Sequence, residues 1–148
     1  MAPKESPVLE ILLAEDNQAD VVLVREALKE HSLNCGVHVM PDGEQAIAFL
    51  NAIDLDPQEP RLDLLLVDMH LPRCDGAQVL ATLRKTIHYA ATPVIVMTAS
   101  DSPADRDRMR DLAALHYFRK PSSLAEFMQL GAMVKSILTG GAPLENQR

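Results

Sequence analysis

The chain has 148 residues, 47% of them apolar, and a net charge of −7, enough for one domain with a sizeable core and too little for two ordinary ones. The acidic balance offers no basic surplus to offset phosphates, which argues against nucleic acid or an anionic membrane as the main partner. No apolar run reaches membrane-spanning length, Met1 to Pro7 lack the apolar core of a signal peptide, and the two cysteines, Cys35 and Cys74, form no CxxC, so reduced thiols in a cytoplasmic protein are expected.

Residues 1–7 read as a disordered lead. Leu9 to Ala14 form a first strand that ends at Glu15-Asp16. Asn17 opens a helix to about Lys29, with Asn17 and Asp20 resembling a capping box and Val21, Val24 and Leu28 forming its apolar stripe. Asn34 to Met40 alternate polar and apolar residues, as a half-exposed strand does. Pro41-Asp42-Gly43 turn into a second helix with Ala46, Ile47, Phe49 and Leu50 inward, and Asp54 to Arg61 read as a polar loop. A third strand, Asp63 to Asp68, carries four consecutive apolar residues that stop at a carboxylate. That pattern marks a strand buried on both faces. Pro72 and Gly76 mark a turn, and Asp75 caps a third helix running to about His88 on Val79, Leu80 and Leu83. Pro93 to Met97 form the fourth strand, followed by Thr98. Ser102-Pro103 start a short charged helix whose alternating signs suit a solvated face. Leu115 to Arg119 are the fifth strand, stopped by Lys120-Pro121, and one last helix covers about Ser122 to Leu138. Residues 139–148 read as a disordered tail, leaving 8–138 as the folded domain.

Five strands alternating with five helices define an α/β protein with a parallel sheet. The continuously apolar first, third and fourth strands belong in the middle, and the second and fifth at the edges. The order 2-1-3-4-5 with right-handed crossovers satisfies this, with helices on both faces. In such open sheets ligands sit at the carboxyl ends of the strands, beside the point where strand order reverses. Glu15-Asp16, Asp68, Thr98 and Lys120 occupy those ends. Taken alone, Asp68 would read as a cap or turn residue; the other three positions change that. Convergent carboxylates about 4 Å apart repel by roughly 4 kcal/mol per pair at an effective dielectric near 20. A hard divalent cation, Mg²⁺ or Mn²⁺, relieves that repulsion, and oxygen ligands without a His or Cys cluster favour it over zinc. A cation, a hydroxyl and an ammonium around one carboxylate form a site for accepting a phosphoryl group, with Asp68 as the nucleophile.

Over roughly residues 8 to 138 the chain resembles the receiver domain of two-component response regulators. The resemblance rests on Glu15-Asp16, Asp68 in Val-Asp-Met-His-Leu-Pro with Asp75-Gly76, Thr98, and Lys120-Pro121, spaced 30 residues from Asp68 to Thr98 and 22 from Thr98 to Lys120. It implies a flavodoxin-like (βα)5 fold and transfer of a phosphoryl group from a sensor histidine kinase to Asp68. It also implies Mg²⁺ (or Mn²⁺) on Asp16, Asp68 and the backbone carbonyl of His70, with Glu15 acting through water. Thr98 and Lys120 would contact the phosphoryl oxygens, Thr98 and Tyr117 would form the switch pair, and Lys120-Pro121 would be a cis peptide. The opening Glu-Asp-Asn-Gln-Ala-Asp and the loop before the third strand look like small stand-alone receivers, including those paired with bacterial phytochromes. Such a protein catalyses only its own phosphorylation and dephosphorylation.

The chain departs from the family pattern at His70, where many members carry Asn or another small or medium residue, and at Ala113-Ala114 in place of Gly-Ala. His70 either tunes hydrolysis of the aspartyl phosphate or is a solvent-exposed loop residue. An aspartyl-phosphate hydrolase of the haloacid dehalogenase type usually needs an acid where His70 stands. An FMN binder would need a phosphate loop where Glu15-Asp16 repel phosphate, and a degenerate docking receiver would have lost one of the acidic or lysine positions. His31, His38, His70, His88 and His116 show no metal-ligand spacing and read as surface residues. The edge position of the fifth strand makes the side formed by the fourth helix, fifth strand and last helix a contact surface for a second copy or a kinase.

Overall fold

The computed structural model describes residues 8–56, 61–99, 102–111 and 116–140. The 1–7 lead, the middle of the polar loop (57–60), Ala113-Ala114 and the tail beyond Gly140 lie outside them. The elements are β1 (Leu9–Ala14), α1 (Gln18–Glu30), β2 (Cys35–Met40), α2 (Gly43–Leu55), β3 (Leu64–Asp68), α3 (Gly76–Lys85), β4 (Val94–Thr98), α4 (Pro103–Asp111), β5 (His116–Arg119), α5 (Leu124–Phe127) and α6 (Gln129–Leu138). All strand pairs are parallel and their order is β2-β1-β3-β4-β5, as the apolar patterns predict.

The sheet splits the core in two. Leu12, Leu65, Val67 and Val96 meet Leu50 of α2 and Leu80 and Leu83 of α3 on one face. Ile11, Leu13, Leu66, Ile95 and Phe118 meet Val24 of α1 and Leu130 and Val134 of α6 on the other. Ile11–Ala14 of β1 and the whole of β3 and β4 are therefore removed from water on both faces, which is why these stretches are apolar without alternation. Phe118 and Phe127 pack edge to face with centroids 5.4 Å apart.

Several local expectations change. The last helix is two segments with a turn at Met128, where bonding shifts to the tighter i→i−3 pattern and Gly131 N–H reaches Met128 O at 3.1 Å. A Cβ at Gly131 would run into the Ala27 carbonyl and the His31 ring, so this glycine is what seats α6 against α1. Helix α3 stops at Lys85 rather than near His88, because Thr86 turns back on Leu83 O (2.7 Å) and Asp54 accepts the Ile87 and His88 N–H groups. Asp54 and Leu55 thus belong to α2 and not to the following loop. His116 is buried rather than exposed: strand alternation puts it on the face of Phe118, and burial lowers its pKa. Asn17 caps α1 through Asp20 N–H (3.1 Å), but the reciprocal bond of a capping box is absent there, since Asn17 N–H goes to Glu15. The reciprocal box is at α3, between Asp75 and Gln78. Ser102 caps α4 as expected, accepting from Asp105 N–H.

Candidate functional site

The carboxyl ends of β1, β3, β4 and β5 bring their terminal residues to one end of the sheet. Parallel pairing puts Asp68 opposite Met97, one residue before Thr98, and Lys120 N–H donates to Thr98 O at 2.8 Å, which fixes the chain just past β5. Gly76 is required where α3 begins, since any Cβ there would meet the Asp68 carbonyl. Arg73 and Cys74 take the left-handed conformation (φ 58° and 90°), so the turn between β3 and α3 carries strain beside the site.

Lys120 Nζ is the hub. It lies 2.7 Å from Glu15 Oε1, 2.8 Å from Asp20 Oδ2 and 2.8 Å from Asp68 Oδ2, with its side chain 11% exposed. Asp68 Oδ1 accepts His70 N–H at 2.9 Å. Glu15 is fully buried. Its Oε2 accepts Asn17 N–H, while its contact with Lys120 is an ion pair without hydrogen-bond alignment, so Oε1 has no directed donor. Burial raises the Glu15 pKa to about 7, and the neighbouring Asp68 charge adds to the effect that Lys120 only partly offsets. For Lys120 burial alone would lower the pKa, but its contacts with Asp20, Asp68 and Glu15 outweigh it and hold the ammonium above its ordinary value.

Glu15, Asp16 and Asp68 each offer one carboxylate oxygen, all within 4.8 Å of one another. A buried oxygen without a directed donor and an all-oxygen set with one exposed member, Asp16, fit a hard divalent cation that keeps water ligands. Thr98 is buried at the neighbouring strand end. The structure thus brings together all four sequence-selected positions.

The β3–α3 turn is clasped to α4. His70 Nε2 is 3.3 Å from Asp105 Oδ2, and Arg108 is 3.0 Å from Asp75. His70 is thus an exposed residue with a partner on α4. Tyr117 is buried and donates its hydroxyl proton toward Asp105 O and Arg106 O (3.3 and 3.2 Å), with the Arg106 guanidinium 4.8 Å from its ring centroid. Sequence reasoning missed Asp20, read there only as a cap partner. Its other partner lies 100 residues away, beyond the reach of any local pattern.

A doubly wound parallel sheet with carboxylates, a threonine and a lysine at its carboxyl end defines a signalling module of the response-regulator class. The chain belongs to the response regulator receiver domain family, whose pattern matches residues 11–131. It is 32% identical over 136 residues to response regulator Rcp1 of Synechocystis sp., covering 92% of both chains. Among solved structures it resembles the phosphorylated cyanobacterial phytochrome response regulator RcpA (TM-score 0.80, 30% identity, 92% of this chain and 97% of that one). The Mn²⁺-bound form of Rcp1 is also similar (TM-score 0.77, 31% identity, 92% and 98%). Among the described residues no helix is long and apolar enough to cross a membrane.

Proposed function

We propose that residues 8–138 form a receiver that takes a phosphoryl group from a sensor histidine kinase onto Asp68. The observation that carries this is the position of Asp68, 2.8 Å from Lys120 and within the acidic cluster, at the end of the central strand. Asp68 attacks phosphorus, the P–N bond to the kinase imidazole breaks as the P–O bond forms, and the imidazole leaves with a proton. Glu15, Asp16, Asp68 and the His70 carbonyl would hold Mg²⁺, or Mn²⁺, with Glu15 contributing through a water. The cation supplies charge compensation for the phosphoryl oxygens. Thr98 and Lys120 take the remaining phosphoryl oxygens, and loss of the group by hydrolysis is the protein's own reaction.

The message is a change of surface. Thr98 drawn toward the phosphoryl group opens space into which Tyr117 turns, releasing the α4 carbonyls it now contacts. The α4–β5–α6 side then meets its partner, either the kinase or a second copy of the chain. Similarity to the cyanobacterial phytochrome response regulator RcpA supports a bacterial phytochrome as that kinase, and a cytoplasmic location fits a receiver domain.

Incubation with acetyl phosphate and Mg²⁺, read by intact mass, tests the acceptor. Wild type should gain one phosphoryl group and Asp68→Asn none; a gain in Asp68→Asn refutes the assignment. Light scattering with and without beryllium fluoride tests the second copy, and a monomer in both states at tens of micromolar removes it.

A further inference from the structure

We infer that Asp20 is the positioning residue of Lys120: it keeps the ammonium in the site when Glu15 and Asp68 turn to a bound divalent cation. This rests on the cation site proposed above.

An ammonium has three N–H donors and no acceptor. Around Lys120 Nζ three carboxylates stand within 2.8 Å, hydrogen-bonded on Asp20 and Asp68 and in an unaligned ion pair on Glu15, so a phosphoryl oxygen would meet an ammonium already surrounded by carboxylates. Two of these partners, Glu15 and Asp68, also belong to the set whose oxygens can hold a cation together with Asp16, and Asp20 does not. Once Glu15 and Asp68 serve the cation, the donor now bound to Asp68 and the one facing Glu15 can turn toward the place where phosphoryl oxygens arrive. The third stays on Asp20. Without Asp20 the ammonium would be left mostly buried, 11% exposed, with a cation beside it and no carboxylate of its own, and its favourable course would be to swing out to water.

Asp20 is built for the task. It stands in the first turn of α1, where the N-terminal end of the helix favours a carboxylate. The Asn17 side chain fixes its backbone by accepting Asp20 N–H at 3.1 Å. A purely structural role, pinning α1 to the end of β5, would also explain the bond. The two roles differ in how they respond to the cation.

Double-mutant cycles of urea unfolding separate them. One cycle pairs Asp20→Asn with Lys120→Met, and the other pairs Glu15→Gln with Lys120→Met, each in EDTA and in saturating Mg²⁺. Both pairs should be coupled in EDTA. In Mg²⁺ the Glu15–Lys120 coupling should fall at least about tenfold as an equilibrium constant, while the Asp20–Lys120 coupling persists. Loss of both couplings in Mg²⁺, or no Asp20–Lys120 coupling in EDTA, overturns the proposal. Should Lys120→Met fail to fold, ammonium proton exchange at Lys120 Nζ, followed by NMR, replaces the cycles. Protection in Mg²⁺ should be present in wild type, lost in Asp20→Asn and partly restored in Asp20→Glu; equal protection in wild type and Asp20→Asn overturns it. With acetyl phosphate, Asp20→Asn should slow acceptance roughly tenfold in the wild-type background and have little effect in Lys120→Met, and equal slowing in both backgrounds counts against it. If Asp68 is not the acceptor, Asp68→Asn still gains a phosphoryl group from acetyl phosphate, or wild type gains none, while the cycles and exchange still read Asp20.

Discussion

Glu15 makes the metal-free protein less stable as pH rises, against the usual behaviour of surface carboxylates. Its side chain is fully buried and titrates at about 7 instead of 4.5, so the native state binds this proton more tightly than the unfolded chain does. The stabilisation is fully present below pH 4.5, is lost as pH rises, and is gone above 7. Converted at 1.36 kcal/mol for each tenfold change, the loss is on the order of 3 kcal/mol. His116 acts in the opposite sense: burial lowers its pKa from 6.5, so its contribution is lost as pH falls. Comparison with Glu15→Gln removes that term, because the amide has the shape of the protonated acid and does not titrate. Urea unfolding in EDTA at half-unit steps from pH 4.5 to 8 should show the two proteins alike at the acid end and Glu15→Gln more stable by about 3 kcal/mol at the alkaline end. In saturating Mg²⁺ the trend should flatten or invert, because the cation binds the deprotonated carboxylate. A difference in EDTA that is constant across the range, or that grows in favour of wild type with rising pH, refutes the reasoning.

Gly131→Ala should cost about 1–3 kcal/mol, because the added methyl meets the Ala27 carbonyl and forces α6 off α1; unchanged unfolding would show that the helices yield freely. Phe118→Ala should cost about 3–5 kcal/mol in the same assay, since a fully buried ring and its contact with Phe127 are lost, and a cost below 1 kcal/mol would contradict that packing. Tyr117→Phe removes the hydroxyl bonds to α4 and should cost about 1 kcal/mol while shifting amide resonances of Asp105 and Arg106. Unmoved resonances would show that the hydroxyl does not hold α4.

The sheet was legible because burial on two faces leaves an unambiguous mark: Leu64–Val67 and Val94–Met97 can be nothing but central strands once helices alternate with them. The four site positions were legible for the opposite reason, as polar residues placed directly after apolar runs. Asp20 was not, because an aspartate three residues after a capping asparagine satisfies a local rule completely. Only the 100-residue reach to Lys120 reveals its other partner. His116 was misread because a polar residue at the start of a short edge strand gives no sign of burial. The break at Met128 was hidden for a similar reason: the apolar stripe from Phe127 to Leu138 runs on across it, and only the close seat of Gly131 on α1 shows where the backbone tightens.

The hub at Lys120 also bears on the order in which the chain assembles. Pairing of β1 with β3 already brings Glu15 next to Asp68, but the cation that reconciles them lies 52 residues beyond Asp68, past the fifth strand of the sheet. A nucleus built from the first three strands therefore carries unrelieved like charge, and docking of β5 removes it. The last strand acts as an electrostatic latch that relieves this repulsion when the end of the sheet arrives, which favours all-or-none folding over a populated half-sheet. In EDTA, stopped-flow refolding should accordingly be faster at pH 5.5, where Glu15 carries its proton, than at pH 8, and Mg²⁺ should narrow that gap by serving the acidic pair before Lys120 reaches it.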